Sequence, residues 1–391
     1  MKIVFYCQHV LGIGHFFRSL EICRALDRHR VLLVTGGPRL DVVLPPHVSE
    51  VRLPALEMDC EFKELHAAAG ADLDTIRRER QQRLRALFET ERPDLFLIEL
   101  YPFGRRAFRL EIDPVLEAMT DGRLPRCGVV CSVRDILVEK AEPEKREART
   151  VGVLNRFFDA VLVHADPRLV RLEETFSRLG EIRIPLAYTG FITPMPAADA
   201  RQRIRSQLGL TPADRLIVVS AGGGRVGMPL LKAAVAAIRY LDRPGNTLLQ
   251  VFTGPFLPDG DFERLEHAAG PGTTIARFTP EFLSYLAAAD LSVSMAGYNT
   301  TMNLLAARVP ALVWPFSQNR EQRLRSERLE ALGVLQLLPG TDLEPTRLAA
   351  RMSRMLERPE RPKNGVDLNG ASATARWIND FGLPPGRAIG V

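Results

Sequence analysis

The sequence is short of several features that mark particular classes of protein. Its five cysteines are an odd number and form no C-x-x-C pair, which argues against a disulfide framework and favours reduced, buried thiols. No apolar run approaches the ~18 residues of a transmembrane helix, and the strand-like start Met1 to Tyr6 lacks the charged region of a signal peptide. We therefore expect a cytoplasmic protein.

Complete nucleotide-binding fingerprints are also missing. The first glycine loop reads Gly12-x-Gly14-His15 without a third glycine, which argues against a nicotinamide cofactor, and a later glycine-rich turn lacks the G-K-[ST] ending of a P-loop. The net charge is only +5, and the arginines are mixed with acidic residues along helices. This pattern indicates solvated faces, so we expect no nucleic-acid partner.

Apolar runs alternate with helical patterns along the whole chain. The run Lys2 to Cys7 and several later ones are typical of buried strands in a parallel sheet. The 391 residues are enough for two full cores. We predict an α/β fold of two Rossmann-like domains, residues 1–190 and 200–370, followed by a terminal segment, 371–391, whose helix packs back on the first domain. Residues 56–91 read as largely helical.

In the first half, polar residues follow the strands at the edge where open α/β sheets bind ligands. His15 lies beside Gly14 at a helix start, where it is either a structural group or a general base. Glu99 ends a strand, and Asp135 follows the next one. Either carboxylate could orient an imidazole or act as a base, although Arg134 and Asp135 also fit a simple ion pair.

In the second half, two strands each run into a glycine turn and a helix. The turn after residue 220 contains Gly222, Gly223, Gly224 and Arg225, and it fits either a flexible hinge or a diphosphate contact. The turn at Gly297 opens a helix with Tyr298, Asn299, Thr300 and Thr301, more polar side chains than one cap needs. We expect an anion at this helix start. Asn319 and Gln322 fit sugar binding and helix capping equally.

The combination resembles the GT-B glycosyltransferases, and within them the family-28 branch. The residues that carry the resemblance are the G-x-G-H loop, the G-G-G turn and above all the run A-D-L-S-V-S-M-A-G-Y-N-T-T with P-A-L-V-W-P-F and E-Q. The resemblance implies two facing Rossmann-like domains with a ligand cleft between them. It also implies inverting transfer of a sugar from a nucleoside-diphosphate sugar, most simply a UDP-sugar, with no metal and no cofactor.

The resemblance also implies roles for individual residues. Gly222 to Arg225 would face the diphosphate, Phe278 would pack near the base, Gly297 to Thr301 would hold phosphate and sugar, and Asn319 and Gln322 would reach sugar hydroxyls. His15 would be the base or contact phosphate. One departure is Asn303, which stands where the family usually has a ribose-binding Glu, so the identity of the nucleotide is less secure than the fold.

Two alternatives stay open on the sequence. One is a sugar-nucleotide 2-epimerase of the same fold, although Glu99 and Asp135 are a small set of carboxylates for it, and the other is a non-catalytic sugar-nucleotide binding protein. The acceptor, a small molecule or a lipid-linked sugar, is left open. So are the sugar, the oligomeric state and peripheral contact with the inner membrane face.

Overall fold

A computed structural model describes residues 1–9, 14–37, 39–58, 65–67, 72–137, 142–224, 226–241, 247–316, 318–357, 361–363 and 365–381. The chain divides into two compact units. The first comprises Met1–Ile192 together with the segment that begins at Val366, and the second comprises Thr193–Gly365. The predicted α/β class is confirmed, because each unit is built on a parallel sheet flanked by helices.

The first unit contains a seven-stranded sheet and a small two-stranded one. Its helices are α1 (Gly14–Ala25), α2 (Leu73–Glu91), α3 (Arg109–Thr120) and α4 (Pro143–Phe157). Its strands are β1 (Lys2–Tyr6), β2 (Arg30–Thr35), β3 (Val48–Arg52), β4 (Leu56–Met58), β5 (Leu65–Ala67), β6 (Leu95–Glu99), β7 (Gly128–Arg134), β8 (Ala160–His164) and β9 (Leu186–Tyr188).

The large sheet of the first unit has the order β3-β2-β1-β6-β7-β8-β9. The chain moves outward from β1 on one side through β2 and β3, and then returns to pair β6 with the other side of β1. The strand order therefore reverses between β1 and β6. In open α/β sheets the crevice at such a reversal, beyond the carboxyl ends of the strands, is the usual ligand site.

The second unit has the same winding in a six-stranded sheet, β12-β11-β10-β13-β14-β15. Its order reverses between β10 and β13, which pair in parallel. The elements are α5 (Ala200–Gln207), β10 (Arg215–Ser220), α6 (Met228–Ala237), β11 (Thr247–Phe252), α7 (Asp259–Ala268), β12 (Thr273–Ala276), α8 (Phe282–Ala288), β13 (Leu291–Met295), α9 (Tyr298–Ala307), β14 (Ala311–Trp314), α10 (Arg320–Ala331), β15 (Gln336–Leu337) and α11 (Pro345–Leu356).

The last helix, α12 (Gly370–Asp380), packs against α1 in the first unit. Ala375 and Ile378 of α12 are buried in the same apolar core as β1 and β2. The entry to the helix is fixed by backbone bonds, since Phe191 N donates to Asp367 O at 2.8 Å and Gly370 N to Phe191 O at 2.9 Å. The first unit is therefore built from two separate parts of the chain.

The helical reading of residues 56–91 is wrong in its first part. Leu56–Met58 and Leu65–Ala67 pair as an antiparallel hairpin, and only Leu73–Glu91 is helical. The backbone N–H of Leu56 donates to Gly36 O at 2.9 Å, a tertiary bond that a three-residue strand does not reveal in sequence. Residues 59–64, including Cys60, lie outside the described part, whereas Cys7, Cys23, Cys127 and Cys131 are free thiols.

Candidate functional site

His15 and Glu99 meet at the strand-order reversal of the first unit. Gly14 and His15 begin α1 just after β1, and Glu99 is the last residue of the neighbouring strand β6. The Nδ1 atom of His15 lies 2.7 Å from Oε1 of Glu99. The Glu99 side chain is fully buried, whereas 23% of the His15 side chain is exposed. One ring nitrogen of the imidazole is therefore hydrogen-bonded to a buried carboxylate, while part of the ring is exposed to solvent.

Two arginines share the Glu99 carboxylate with His15. Arg18, one turn further along α1, donates from Nη2 to the same oxygen, Oε1, and Arg105 Nε lies 3.7 Å from Oε2. Burial alone would raise the pKa of Glu99, but the charges and hydrogen bonds of His15, Arg18 and Arg105 outweigh it. The pKa of Glu99 is therefore held well below its ordinary value, and the carboxylate is ionised at neutral pH.

Burial determines the charge of His15, and the ionised carboxylate determines its tautomer. Burial lowers the pKa of His15 to about 4, against a smaller raising effect of Glu99, so the imidazole is neutral near pH 7. Because ionised Glu99 can only accept hydrogen bonds, Nδ1 of His15 carries the proton and Nε2 keeps a lone pair. A neutral imidazole held in this tautomer by a carboxylate can accept a proton from a hydroxyl group.

The loop after β6 places Arg105 next to Glu99 by means of unusual backbone geometry. Leu100 and Arg105 both have left-handed φ angles, 65° and 56°, a conformation that costs free energy in residues other than glycine. Gly104 N donates to Leu100 O at 2.8 Å, which closes the loop. A Cβ at Gly104 would lie 2.8 Å from the Leu100 side chain, so the turn requires glycine there.

Asp135, the other candidate carboxylate, lies one strand further along the same edge. It follows β7 and is fully buried, while the β6 and β7 register places Glu99 opposite Ser132. Of the two carboxylates named from the sequence, Glu99 is the one hydrogen-bonded to His15.

A buried polar chain beside this centre was not predicted. Oγ of Ser132 lies 2.7 Å from Nε2 of His164, and Nδ1 of His164 lies 2.8 Å from Oγ1 of Thr189. Burial, assisted by the charge of Arg18, lowers the pKa of His164 to about 3. Arg18 was also missed, although a cation three residues after His15 on one helix is a readable signal.

In the second unit, two glycine turns lie against each other at the carboxyl ends of β10 and β11. Gly222, Gly224 and Gly254 have left-handed φ angles of 63°, 93° and 90°. A Cβ at Gly254 would lie 2.4 Å from the carbonyl oxygen of Gly222, so the two backbones are in direct contact. A side-chain-free surface of this kind lets a ligand approach backbone N–H groups. Arg225 lies outside the described residues.

The start of α9 faces the first of these turns. Gly297 is the N-cap residue, and no described side chain caps the helix. Thr300 Oγ1 lies 3.8 Å from the Cβ position of Gly222 and 3.9 Å from that of Gly297. The structure thus brings together Gly222 and the α9 N-terminus at the strand-order reversal between β10 and β13. Such a helix start, with its partial positive charge, is suited to an anion.

The other polar residues at the start of α9 differ in their burial and in their contacts. Thr301 is fully buried, and its hydroxyl has no hydrogen-bond partner among the described residues. Tyr298 is 8% exposed, and the Arg325 guanidinium lies 5.1 Å from the centre of its ring. Asn299 is half-buried. Thr300 is therefore the hydroxyl closest to the glycine turn.

The remaining predicted residues of the second unit have local partners or lie on the surface. Asn303 Oδ1 accepts from Thr193 Oγ1 at 3.1 Å. Asn319 Oδ1 accepts from Gln322 N at 3.2 Å and so caps α10, while Gln322 Oε1 accepts from Phe316 N at 3.1 Å. Local hydrogen bonds to backbone N–H groups therefore use both amide oxygens.

Two of the predicted residues form exposed surface beyond β12 and β10, which lie on either side of β11 in the sheet. Phe278, beyond β12, is 55% exposed, and Gly223 follows β10. Phe256 is also exposed, and its ring lies 3.7 Å from the Cβ position of Gly223. Apolar rings at this edge give a flat ligand a surface to stack on.

The described residues show neither a metal-binding cluster nor a membrane-spanning helix. Within the described ranges, no group of three or more His, Cys, Asp or Glu side chains is placed to hold a metal ion. No helix in the part of the chain that the structure describes is both long and apolar enough to cross a membrane.

Part of the chain matches a known family model. Residues 249–377 match the model of the glycosyltransferase family 28 C-terminal domain. An uncharacterized glycosyltransferase of Methanopyrus kandleri is 21% identical over 58% of this chain and 62% of its own length. The UDP-N-acetylglucosamine–N-acetylmuramyl-(pentapeptide) pyrophosphoryl-undecaprenol N-acetylglucosamine transferase of Symbiobacterium thermophilum is 26% identical over 42% of this chain and 44% of its own. The chain thus matches less than two thirds of the length of these relatives.

Solved structures extend the similarity to both units. MurG of Acinetobacter baumannii superposes with a TM-score of 0.59 over 97% of this chain and 100% of its own, at 15% identity. The glycotransferase of kitacinnamycin superposes with a TM-score of 0.59 over 97% and 94% of the two chains, at 16% identity. Identities this low show the fold alone, and that fold is GT-B, as the sequence predicted.

Proposed function

We propose that this chain, which is a GT-B protein with a glycosyltransferase family 28 C-terminal domain, transfers a sugar from a nucleoside-diphosphate sugar to an acceptor hydroxyl or amine. One observation carries the proposal: Gly222 and the start of α9 lie together at the strand-order reversal of the second unit, with Thr300 Oγ1 within 4 Å of both glycine Cβ positions. Backbone N–H groups and a hydroxyl converge there on a space suited to a diphosphate.

A UDP-sugar is the donor that we propose. Several relatives carry UDP-N-acetylglucosamine in their names. The exposed ring of Phe278 lies beyond β12, at the same edge of the sheet as the glycine turns, where it offers a stacking surface for a base. The chemistry needs no metal, because helix N-termini and the N–H groups of the glycine turn stabilise the negative charge that develops on the leaving diphosphate.

The first unit supplies the base in this proposal. The acceptor oxygen or nitrogen attacks the anomeric carbon and loses its proton to Nε2 of His15. The bond from the anomeric carbon to the diphosphate oxygen breaks, and its electron pair leaves with the nucleoside diphosphate. Attack from the side opposite the leaving group inverts the anomeric configuration. Glu99, hydrogen-bonded to Nδ1 at 2.7 Å, stabilises the imidazolium that forms.

The proposal also covers the class of acceptor and the place where the reaction occurs. The names of the relatives include an undecaprenol-linked acceptor, so a lipid-linked sugar at the inner membrane face is one proposed acceptor and a small soluble molecule is the other. In both cases the acceptor presents one nucleophilic group to His15.

Isothermal titration of the protein with UDP, GDP, TDP and ADP tests the donor site. We expect selective binding of UDP, and Thr300→Val should weaken it about fivefold, because one hydrogen bond contributes about 1 kcal/mol. Thr301→Val is the matched control. It makes the same substitution one residue further on, at a fully buried hydroxyl that has no partner in the described part of the chain, and should leave the affinity unchanged.

The results of these titrations distinguish a transferase from a non-catalytic binding protein. Failure of all four diphosphates to bind would remove the donor site and with it the proposed transferase. Equal effects of the two valine variants would show that Thr300 acts through the fold and not through contact with the nucleotide. Tight UDP binding with no turnover on any acceptor would favour a non-catalytic binding protein.

A further inference from the structure

We propose that four arginines on one side of the first unit, Arg106, Arg109, Arg146 and Arg149, form a second anion site that binds a phosphate-bearing ligand. We call them the arginine cluster. Arg106 is in the 3₁₀ turn after the Arg105 loop, Arg109 begins α3, and Arg146 and Arg149 lie one turn apart on α4. This site goes beyond the proposed function, because none of these residues belongs to the His15 centre or to the second unit.

A cavity of about 800 Å³ opens beside the cluster, between α2, α3 and α4. Arg109 and Arg149 line it, together with Arg77 and Arg78 of α2 and the half-exposed side chain of Leu110. This volume is within the range of small-molecule sites, which run from about 300 to 1,000 Å³. A ligand with one or two phosphate groups therefore fits beside the guanidinium groups.

Two of the three carboxylates that line the same cavity have partners of their own. Asp74 lies 3.2 Å from the Arg77 guanidinium, and Asp113 accepts a hydrogen bond from the Tyr101 hydroxyl. Glu117 is the third acidic residue of the lining. Four arginines against three carboxylates, with Arg106 and Arg146 adjacent, leave the positive charge in excess.

The four arginines of the cluster form no ion pairs among the described residues. Within the described ranges, none of their guanidinium groups forms a hydrogen bond or an ion pair. Elsewhere on the same wall the chain does pair its arginines: on α2, Arg83 binds Glu79 at 2.5 Å and Arg85 binds Glu89 at 2.9 Å. The four arginines of the cluster, by contrast, are unpaired within the described residues, so a ligand can supply the missing negative charge.

The arginines are also close enough to act on one another. Partial burial and the charges of Arg149, Arg146 and Arg109 lower the pKa of Arg106. Like charges gathered in one place repel each other, so an anion among them removes an unfavourable interaction as well as adding favourable ones. Guanidinium groups bind phosphate through two parallel N–H donors, which a cluster of lysines would not reproduce.

Titration calorimetry with inorganic pyrophosphate tests the cluster. Full-length protein is first saturated with UDP, so that the proposed donor site is filled, and is then titrated with pyrophosphate at low ionic strength. We expect one pyrophosphate site, weakened about tenfold in Arg109→Gln/Arg149→Gln, which corresponds to about 1.4 kcal/mol for the loss of two exposed charge pairs. Arg83→Gln/Arg85→Gln removes the same charge from α2 outside the cavity and should retain binding.

A parallel experiment identifies the source of the phosphate. Vesicles of phosphatidylcholine, with and without one third phosphatidylglycerol, are sedimented with each variant. A lipid headgroup is supported if the protein sediments with the anionic vesicles, Arg109→Gln/Arg149→Gln does not, and pyrophosphate does not bind. A free phosphate ligand is supported if only pyrophosphate binds. Absence of both, or equal loss in the Arg83→Gln/Arg85→Gln control, overturns the proposal. The UDP affinity of each variant, measured beforehand, is a separate test of the donor site.

Discussion

The buried His164 should make the first unit sensitive to acid. Burial and the charge of Arg18 lower its pKa from an ordinary 6.5 to about 3, and its ring lies between the hydroxyls of Ser132 and Thr189. The folded protein therefore holds this imidazole neutral. As pH falls below 6.5, the unfolded chain binds a proton there and the folded chain does not, so the free energy of unfolding decreases.

The size of the effect follows from the pKa difference. Each proton bound only by the unfolded chain lowers the free energy of unfolding by about 1.4 kcal/mol per pH unit. Between pH 6.5 and 4.5 His164 should therefore cost the folded state about 3 kcal/mol. His15, with its pKa lowered to about 4, acts in the same direction. Glu99 acts in another window, since its lowered pKa removes stability only below the ordinary value of 4.5.

Urea unfolding at pH 7.5 and 4.5 measures this dependence. The sequence has two tryptophans, and Trp377 on α12 stacks on Phe381 at 4.6 Å within the first unit. In a Trp314→Phe background, fluorescence therefore reports unfolding of the first unit alone. We expect His164→Gln to lose about 3 kcal/mol less than the parent protein between the two pH values.

Thr189→Val is the control for this experiment. It removes the hydroxyl bonded to His164 Nδ1 but keeps the imidazole, so it should lower stability by about 1–3 kcal/mol at both pH values and retain the steep pH dependence. If His164→Gln and the parent protein lose the same free energy on acidification, the neutral, buried His164 is not the source of the dependence.

Two further predictions concern catalysis and the core. His15→Ala should lower kcat by about 10²- to 10⁴-fold, measured as UDP released from the donor, with UDP affinity unchanged; a smaller loss would assign the proton transfer to another group. Glu111→Gln should lower the free energy of unfolding by about 3–5 kcal/mol, because it leaves fully buried Arg80 without its carboxylate. Glu79→Gln, which breaks an exposed pair, should cost about 0.5 kcal/mol or less in urea unfolding.

The parts of the fold that follow from local patterns were predictable. Ala311–Trp314 is an uninterrupted apolar run between two prolines, and Leu291–Met295 alternates apolar residues with serine ahead of a glycine turn; both are strands. The edge strand Val48–Arg52 was missed because its exposed side chains interrupt the apolar pattern. The short hairpin at Leu56–Met58 was misread because three residues are too few to distinguish a helix from a strand.

The candidate site was only half visible for a different reason. His15 and Glu99 were both named, but they are 84 positions apart, and what joins them is the pairing of β1 with β6. Strand order is a property of the whole sheet, and the local sequence around neither residue predicts it. The same holds for Ser132 and His164, whose contact depends on the pairing of β7 with β8.

The return of α12 to the first unit has a consequence for protein engineering and for synthesis. Because residues 193–365 form their own unit between two parts of the other, exchanging the second unit between related enzymes requires two junctions, near Thr193 and near Gly365. A chimera with a single crossover would inherit a foreign α12, whose Ile378 must fit a core made by residues near the other end of the chain. On the ribosome, the first unit can complete that core only after the whole second unit has been translated.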